Sequence, residues 1–229
     1  MKTIGLLGGM SWQSSVEYYR LINEAVHRRL GGFHNARSLM YTVDFQDVET
    51  LMTAGEWDRA ASLLAASARQ LEAGGAECVL LCTNTLHKVA DAIQSAISIP
   101  FLHIVDAVGD EMSRRGCHTA GLLGTRFTME QDFYRERLER HGHSILIPEA
   151  PAREFIHRVI FDELCHGDIR DSSRREFQRI IGRLHACGAQ GVILGCTELS
   201  LLIAPEHSPV PVFDTTRIHV DRAVEFCLS

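Results

Sequence analysis

Short apolar runs alternate with longer amphipathic stretches along the whole chain. The longer stretches repeat apolar residues at positions i, i+3, i+4 and i+7, which is the spacing of one helix face. They predict helices over residues 14–30, 57–72, 131–140 and 174–186. The short runs have the length of buried strands, and they cover residues 3–7, 38–43, 78–81, 101–104, 119–123, 144–147, 192–194 and 210–213. This alternation predicts an α/β protein with a largely parallel sheet.

Three segments of the first half of the chain recur in the same order in the second half. "IGLLGGM" from Ile4 recurs as "AGLLGTR" from Ala120, "LEAGGAECVLLCTN" recurs as "LHACGAQGVILGCT", and "IPFLHI" recurs as "VPVFDT". A repeat on this scale predicts two similar Rossmann-like α/β domains related by a pseudo-two-fold axis. We expect residues 1–98 with 208–229 to form the first domain and residues 99–207 the second. The active site is expected in the cleft between them, beyond the carboxyl ends of the strands.

The middle repeat pairs residues at two strand ends. Aligned without a gap, Cys82 corresponds to Gly195 and Thr83 corresponds to Cys196. Because adjacent strand residues point to opposite faces, Cys82 and Thr83 are not expected to address the same cleft. A hydroxyl and a thiol facing each other suit the inversion of a carbon stereocentre, in which a proton leaves one face and another arrives on the opposite face. The alternative is that Cys196 is a small core residue.

The composition narrows the range of partners. The formal charge is -6 and the Lys and Arg residues are scattered, so we expect no nucleic-acid binding. No apolar run reaches the roughly 18 residues that a membrane span needs. The seven cysteines are spread out without a CxxC pair, which is typical of a reducing cytoplasm and predicts neither disulfides nor a thiolate metal site.

Three segments resemble the aspartate/glutamate racemase family, whose members are cofactor-independent amino-acid racemases. The segments are "VLLCTNTLH", "VILGCTELSLL" and "IGLLGGMSW", and the resemblance extends over essentially the whole chain. In that family the first cysteine directly precedes Asn-Thr, whereas here one extra residue stands between Cys82 and Asn84. Aligned on Asn84 and Thr85, the family's first catalytic cysteine position falls on Thr83.

The resemblance implies an isomerase that inverts the α-carbon of an amino acid without a cofactor or a metal, as a cytoplasmic homodimer. Cys196 is then one acid/base and Thr83 stands in the place of the other, with Cys82 as a substitute if the strand end is irregular. Neighbours or a helix N-terminus can lower the pKa of a thiol, whereas a threonine hydroxyl is too weakly acidic to form an alkoxide unaided. Since the family's second cysteine takes the proton from the L-enantiomer, we expect turnover that kinetically favours L to D.

Several groups near the strand ends are candidates for binding the substrate and stabilising the charge that forms on its carboxylate. They are Met10, Ser11, Asn84, Thr85, Thr197 and Glu198, together with the backbone of Gly8 and Gly9. Ser11 and Thr197 are alternatively helix N-caps, and Glu198 either orients the catalytic thiol or caps the next helix. His87 either polarises the opposite side or lies on the surface. Arg126 is either a carboxylate clamp or an exposed residue at a helix start.

Other chemistries find less support in the sequence. Lys2 and Lys88 are the only lysines, which disfavours a pyridoxal phosphate Schiff base, and GxGxxG, GxSxG and HExxH are all absent. Related two-domain enzymes racemise hydantoins, isomerise maleate or decarboxylate malonates, and a non-catalytic amino-acid-binding protein is a further alternative. Aspartate-specific members use basic residues for the distal carboxylate. Those positions fall here near Glu49 and Cys165, which leaves the preferred amino acid open.

Overall fold

The computed structural model describes residues 1–229, and strands and helices alternate along the chain as the hydrophobic pattern predicts. The strands are β1 (Ile4–Gly8), β2 (Ser38–Thr42), β3 (Cys78–Leu81), β4 (Phe101–Leu102), β5 (Thr119–Gly124), β6 (Ser144–Leu146), β7 (Gly191–Gly195) and β8 (Val212–Asp214). All eight predicted strands are present. Their bounds differ from the predicted ones by at most two residues at either end.

The helices connect these strands. They are α1 (Trp12–Leu30), α2 (Phe45–Thr53), α3 (Trp57–Ala73), α4 (Ala90–Ser95), α5 (Ile104–Arg114), α6 (Arg126–Glu130), α7 (Asp132–Arg140), α8 (Ala150–Asp162), α9 (Asp171–Ala186), α10 (Leu199–Leu202) and α11 (Thr215–Leu228). Short 3₁₀ helices cover Thr85–Val89, Leu164–His166 and Pro205–His207. The four helices predicted from periodicity correspond to α1, α3, α7 and α9. None of the helices combines the length and the apolarity that crossing a bilayer requires.

The strands form two four-stranded sheets with the same order, β2-β1-β3-β4 and β6-β5-β7-β8. Every strand pairing in both sheets is parallel. Parallel neighbours need helical crossovers, which explains why helices separate the strands in sequence. The α/β class and the presence of two similar domains, both predicted from the sequence, are therefore confirmed.

The sequence repeat is also a repeat of hydrogen-bond register. The backbone N–H of Val79 donates to the carbonyl of Pro100, and the backbone N–H of Val192 donates to the carbonyl of Pro211, each at 2.9 Å. These four residues correspond under the alignment made from the sequence alone. Counting on from Val79 and Val192, Thr83 beyond β3 and Cys196 beyond β7 are therefore equivalent positions of the fold.

The chain forms two compact units. Unit 1 contains Met1–Ile104 with His219–Ser229, and unit 2 contains Val105–Ile218. In the sequence prediction the second domain begins at residue 99 and the chain returns to the first domain at residue 208, whereas in the structure these boundaries lie at Val105 and His219. In the structure, β4 pairs with β3 in the first sheet and β8 pairs with β7 in the second, so each of these short strands belongs with its own sheet.

The core of unit 1 lies where α1 and the end of α11 cover one face of the first sheet. Buried α1 residues recur at helical spacing, from Tyr18 through Leu21 and Ile22 to Val26, and they pack in one cluster with Leu80 of β3. Leu80 is fully buried, and removing such a side chain from water contributes roughly 1.5–3 kcal/mol to folding. This packing fixes the inner face of β3 and leaves the opposite side of the strand end for other contacts.

Candidate active site

At the end of β3, the adjacent side chains of Cys82 and Thr83 have different surroundings. The backbone N–H of Cys82 donates to the carbonyl of Leu7 at 2.9 Å, which continues the regular pairing one residue beyond the strand. Cys82 is fully buried in the core cluster of unit 1, and this burial raises the pKa of its thiol above the ordinary value. Thr83 is half-buried. Cys82 thus lies in the core of unit 1, and Thr83 is the more accessible of the two side chains.

Cys196 occupies the equivalent position after β7. It is half-buried and stands between the buried Gly195 and the buried Thr197. Thr83 shows the same pattern, since Cys82 and Asn84 on either side of it are buried. In each unit, the residue singled out by the repeat is thus the accessible one at its strand end.

The Cys196 thiol is hydrogen-bonded to a carboxylate. Its Sγ donates to Oε2 of Glu198 at 3.0 Å. Burial and the negative charge of Glu198 raise the pKa of Cys196 well above the usual value for a thiol. A neighbouring cation or helix N-terminus can lower the pKa of a thiol, but here the carboxylate of Glu198 lies beside the sulfur and has the opposite effect. The resting form is a thiol and a carboxylate that share one hydrogen bond.

Glu198 holds the position of a helix N-cap before α10, but its side chain makes no capping hydrogen bond. Of the two roles left open by the sequence, orienting the thiol is the one its geometry fits. Thr197 precedes the N-cap position that Glu198 holds, and its carbonyl accepts a hydrogen bond from the Ser200 hydroxyl at 2.9 Å. Thr197 and Glu198 are both buried, so the polar groups around Cys196 are held in fixed positions.

A second thiol lies near this pair. Burial and the charge of Glu198 raise the pKa of Cys165 to about 12, and the Cys165 thiol in turn contributes to the raised pKa of Cys196. Cys165 is part of the 3₁₀ helix Leu164–His166 and is half-buried. The family resemblance places Cys165 near a position that binds the distal carboxylate in aspartate-specific members, but nothing in the local pattern predicts that it lies beside Cys196 and Glu198.

The loop after β1 is built around Ser15. Its hydroxyl oxygen accepts a hydrogen bond from the backbone N–H of Gly9 at 2.8 Å and donates to the carbonyl of Ser11 at 3.0 Å. Ser11 is the N-cap of α1 and accepts from the backbone N–H of Ser14 at 3.3 Å. Met10 is buried. Ser15 is therefore a supporting residue of this loop that the sequence pattern alone does not reveal.

The first sheet brings this loop next to Thr83. β1 and β3 are adjacent and parallel, with Leu7 paired to Leu81, so the segments that follow them leave the same edge of the sheet. Asn84 and Thr85, which begin the 3₁₀ helix, are both buried. In unit 1 the sheet thus gathers Met10, Ser11 and the segment 83–85 at one edge, and in unit 2 Cys196, Thr197 and Glu198 follow the corresponding strand. The structure contains no group of three or more His, Cys, Asp or Glu side chains that could hold a metal ion.

The structure also defines the surroundings of two further candidates, His87 and Arg126. His87 is buried, so the surface alternative considered for it is wrong. Its ring contacts the carbonyl of Thr83 at 2.7 Å. Arg126 is exposed at the first residue of α6, where its backbone N–H donates to Nδ1 of His157 at 3.3 Å. This is the position expected of the helix-start alternative.

Known proteins share the sequence and the fold. The sequence profile of the family described as Asp/Glu/Hydantoin racemase matches residues 7–223. A crystal structure from Yersinia pestis, described as a candidate Asp/Glu racemase, is 48% identical, has a TM-score of 0.95 and covers 100% of both chains. The crystal structure of an aspartate racemase homologue from Pyrococcus horikoshii is 33% identical, has a TM-score of 0.90 and also covers 100% of both chains.

A curated relative extends the likeness at lower identity. The broad specificity amino-acid racemase RacX of Bacillus subtilis is 24% identical over 147 residues. The alignment covers 64% of this chain and 63% of RacX, which is less than two thirds of either protein.

Proposed function

The chain belongs to the Asp/Glu/Hydantoin racemase family, and from that premise we propose that it is a cofactor-independent amino-acid racemase in which Thr83 and Cys196 act on opposite faces of the α-carbon. The family implies an isomerase. The observation that carries the assignment of the two residues is their equivalence, since each is half-buried and is the first accessible residue beyond an inner strand of its sheet, β3 for Thr83 and β7 for Cys196.

The contact between Cys196 and Glu198 supports a role for the pair as a single proton-holding unit. In the resting form the thiol holds the proton and donates to the carboxylate at 3.0 Å. Transfer of that proton to Glu198 creates a thiolate beside a neutral carboxyl group, which removes the charge repulsion that raises the thiol pKa. The ammonium group of a bound amino acid favours the same step. The thiolate then takes the α-proton of the L-enantiomer.

Thr83 completes the inversion on the second face. Its hydroxyl donates a proton to the carbanion and recovers one from water, since a free alkoxide is too basic to persist, and the hydroxide that remains takes the proton from Glu198, which restores the resting thiol and carboxylate. In the reverse direction Thr83 has to remove a proton, and a neutral hydroxyl is a poor base for this step. We therefore propose turnover with a higher kcat from L to D than from D to L. The two enantiomers have equal free energy in water, so kcat/KM is the same in both directions and a lower kcat for the D-enantiomer comes with a lower KM.

The remaining polar groups fit carboxylate binding. Backbone N–H groups of the loop at Met10 and Ser11, together with Asn84, Thr85 and Thr197, are placed at strand ends where donors stabilise the charge that develops on the α-carboxylate. Acidification of the α-proton by such donors removes the need for an imine cofactor. We propose a homodimer in the cytoplasm, in keeping with seven free cysteines.

The substrate side chain is proposed to be of relaxed or non-aspartate type. The two positions expected to carry basic residues for a distal carboxylate hold Glu49 and Cys165. Glu49 accepts a hydrogen bond from Thr53 at 2.8 Å, and Cys165 lies near the negative charge of Glu198. Neither supplies a positive charge. A neutral polar amino acid is therefore as suitable as glutamate.

The test is chiral chromatography of a panel of L- and D-amino acids incubated with the wild type and with Cys196→Ala. Cys187→Ala is the matched control, because Cys187 is an exposed thiol at the end of α9 in the same unit. The proposal predicts interconversion by the wild type and by Cys187→Ala, and none by Cys196→Ala. If the panel stays unchanged with the wild type, hydantoins, maleate and malonates are tested next. Tight binding without turnover would instead indicate a binding protein.

A further inference from the structure

His87 connects the 3₁₀ helix after β3 to the residue that precedes it. Its ring is buried, with Nδ1 2.7 Å from the carbonyl oxygen of Thr83 and Nε2 3.2 Å from the backbone nitrogen of Ile104. The N–H of Ile104 can only donate, so Nε2 is the acceptor. The Thr83 carbonyl can only accept, so Nδ1 carries the hydrogen and donates. Both contacts together fix one neutral tautomer.

The hydrogen bond from His87 is made to the peptide group of Thr83, which belongs to neither the sheet nor the 3₁₀ helix. The last regular rung beyond β3 is the hydrogen bond from Cys82 to Leu7, and the 3₁₀ helix begins at Thr85. The Thr83 carbonyl lies between these two elements and is held by a side chain four residues further along the chain. The orientation of the peptide group after a residue depends on the backbone torsion angle ψ of that residue. The hydrogen bond from His87 therefore restrains the backbone that carries the Thr83 side chain.

We propose that His87 is the positioning residue for Thr83, holding its peptide group so that the hydroxyl stays aligned with the second face of the substrate. This inference rests on the proposed function. His87 does not touch the reacting atoms, and as a neutral ring it adds no charge. Its effect is geometric, and a misplacement of about 1 Å at a reacting group can lower a rate by about 10²-fold.

His219 provides a matched control in the same unit. Its ring is fully buried, and its centroid is 5.8 Å from that of His87. Its Nε2 donates to the carbonyl of Leu102 at 2.6 Å, and its Nδ1 accepts from the hydroxyl of Tyr18 at 2.9 Å. A substitution of His219 thus changes a buried histidine next to His87 but leaves the hydrogen bond between His87 and Thr83 in place.

The experiment follows L-glutamate, or the panel amino acid that the wild type converts fastest, in D2O. Initial rates are measured for deuterium entry into the remaining L-enantiomer and for appearance of the D-enantiomer. Return of a deuteron from the Cys196 side gives exchange with retention, whereas delivery through Thr83 gives inversion. The ratio of inversion to exchange with retention therefore reports on Thr83 alone. A general loss of folding lowers both rates and leaves the ratio unchanged.

Two substitutions that both remove the ring separate the two contacts. The amide nitrogen introduced by His87→Asn lies near the Nδ1 position and can still donate to Thr83. The longer side chain introduced by His87→Gln reaches instead towards the Nε2 position and the N–H of Ile104. We expect His87→Gln to lower the ratio by about tenfold or more, His87→Asn to restore most of it, and His219→Gln to leave it at the wild-type value.

An unchanged ratio in His87→Gln, with an active wild type, would overturn the positioning role and leave the proposed function intact. An equal fall in His219→Gln would do the same, because it would show a general effect of buried histidines. A wild type that neither exchanges nor inverts any panel amino acid would overturn the proposed function, and the inference with it.

Discussion

The buried His219 makes the stability of unit 1 depend on pH. Burial lowers the pKa of His219 from the ordinary value of 6.5 to about 4, and its hydrogen bond to Leu102 opposes this shift only in part. The unfolded chain therefore binds a proton between pH 6.5 and 4, whereas the folded chain does not. By linkage, the free energy of unfolding falls as the pH falls through this window, and above pH 7 this group has no further effect.

The gap between 6.5 and about 4 corresponds to about 3 kcal/mol, at 1.36 kcal/mol per pKa unit. We predict that acidification from pH 7 to pH 4 costs the wild type about 3 kcal/mol more than it costs His219→Gln, because glutamine keeps a donor and an acceptor but does not titrate. The assay is urea unfolding at both pH values. His34→Gln, which changes an exposed ring, serves as the control and should follow the wild type.

Comparing the variant with the wild type removes the contribution of all other titrating groups. Equal losses in the wild type and in His219→Gln would refute the reasoning. Such a result would mean that the ring is protonated at similar pH in the folded and unfolded chain.

Three further substitutions test other parts of the account. Glu198→Gln removes the negative charge that raises the pKa of Cys196, so we expect alkylation of this thiol by iodoacetamide at pH 8 to become faster in a Cys187→Ala background; an unchanged rate would contradict the proposed pair. Thr83→Cys places an ionisable thiol on the second face and should raise kcat from the D-enantiomer by roughly 10²-fold, whereas an unchanged value would argue against proton transfer at this position. Gly9→Ala should lower the free energy of unfolding, measured in urea, by roughly 1–3 kcal/mol more than Gly31→Ala does. Both glycines have positive φ, but a Cβ at Gly9 would lie 2.2 Å from the carbonyl oxygen of Val43 and at Gly31 would meet nothing within 4 Å; equal losses would contradict this packing argument.

The fold follows closely from the sequence because each strand is a buried apolar run and each long helix has one apolar face. The internal repeat adds that the two domains are alike, since equivalent segments such as Ile4–Gly8 and Thr119–Gly124 become the inner strands β1 and β5, whereas the order of the strands is known only from the structure. The residues at which strands end are less predictable. The prediction extends β4 to residue 104, whereas α5 begins at Ile104 and only Phe101–Leu102 pair with β3.

The repeat and the alternation of strand residues also predict that Thr83 and Cys82 face different sides, and Cys82 is indeed in the core. The structure alone defines three contacts of the site. Glu198 accepts from Cys196, which is one of the two roles that the sequence left open for it, Cys165 lies close to both, and His87 turns back onto Thr83. Each depends on the path of a short loop or 3₁₀ helix, for which hydrophobic periodicity carries no information.

The central claim is that Thr83 and Cys196 transfer protons on opposite faces of the α-carbon. The most direct measurement is proton NMR in D2O of the best panel amino acid, starting from the L-enantiomer, with the wild type, Thr83→Val, Cys196→Ala and Cys82→Ala. Chiral chromatography of the same samples gives the amount of D-enantiomer.

We expect that Thr83→Val still exchanges the α-hydrogen of the L-enantiomer but forms almost no D-enantiomer, and that Cys196→Ala does neither. Cys82→Ala should behave like the wild type at a temperature where it is folded. Full-rate inversion by Thr83→Val, or loss of inversion in Cys82→Ala with its fold intact, would contradict the claim.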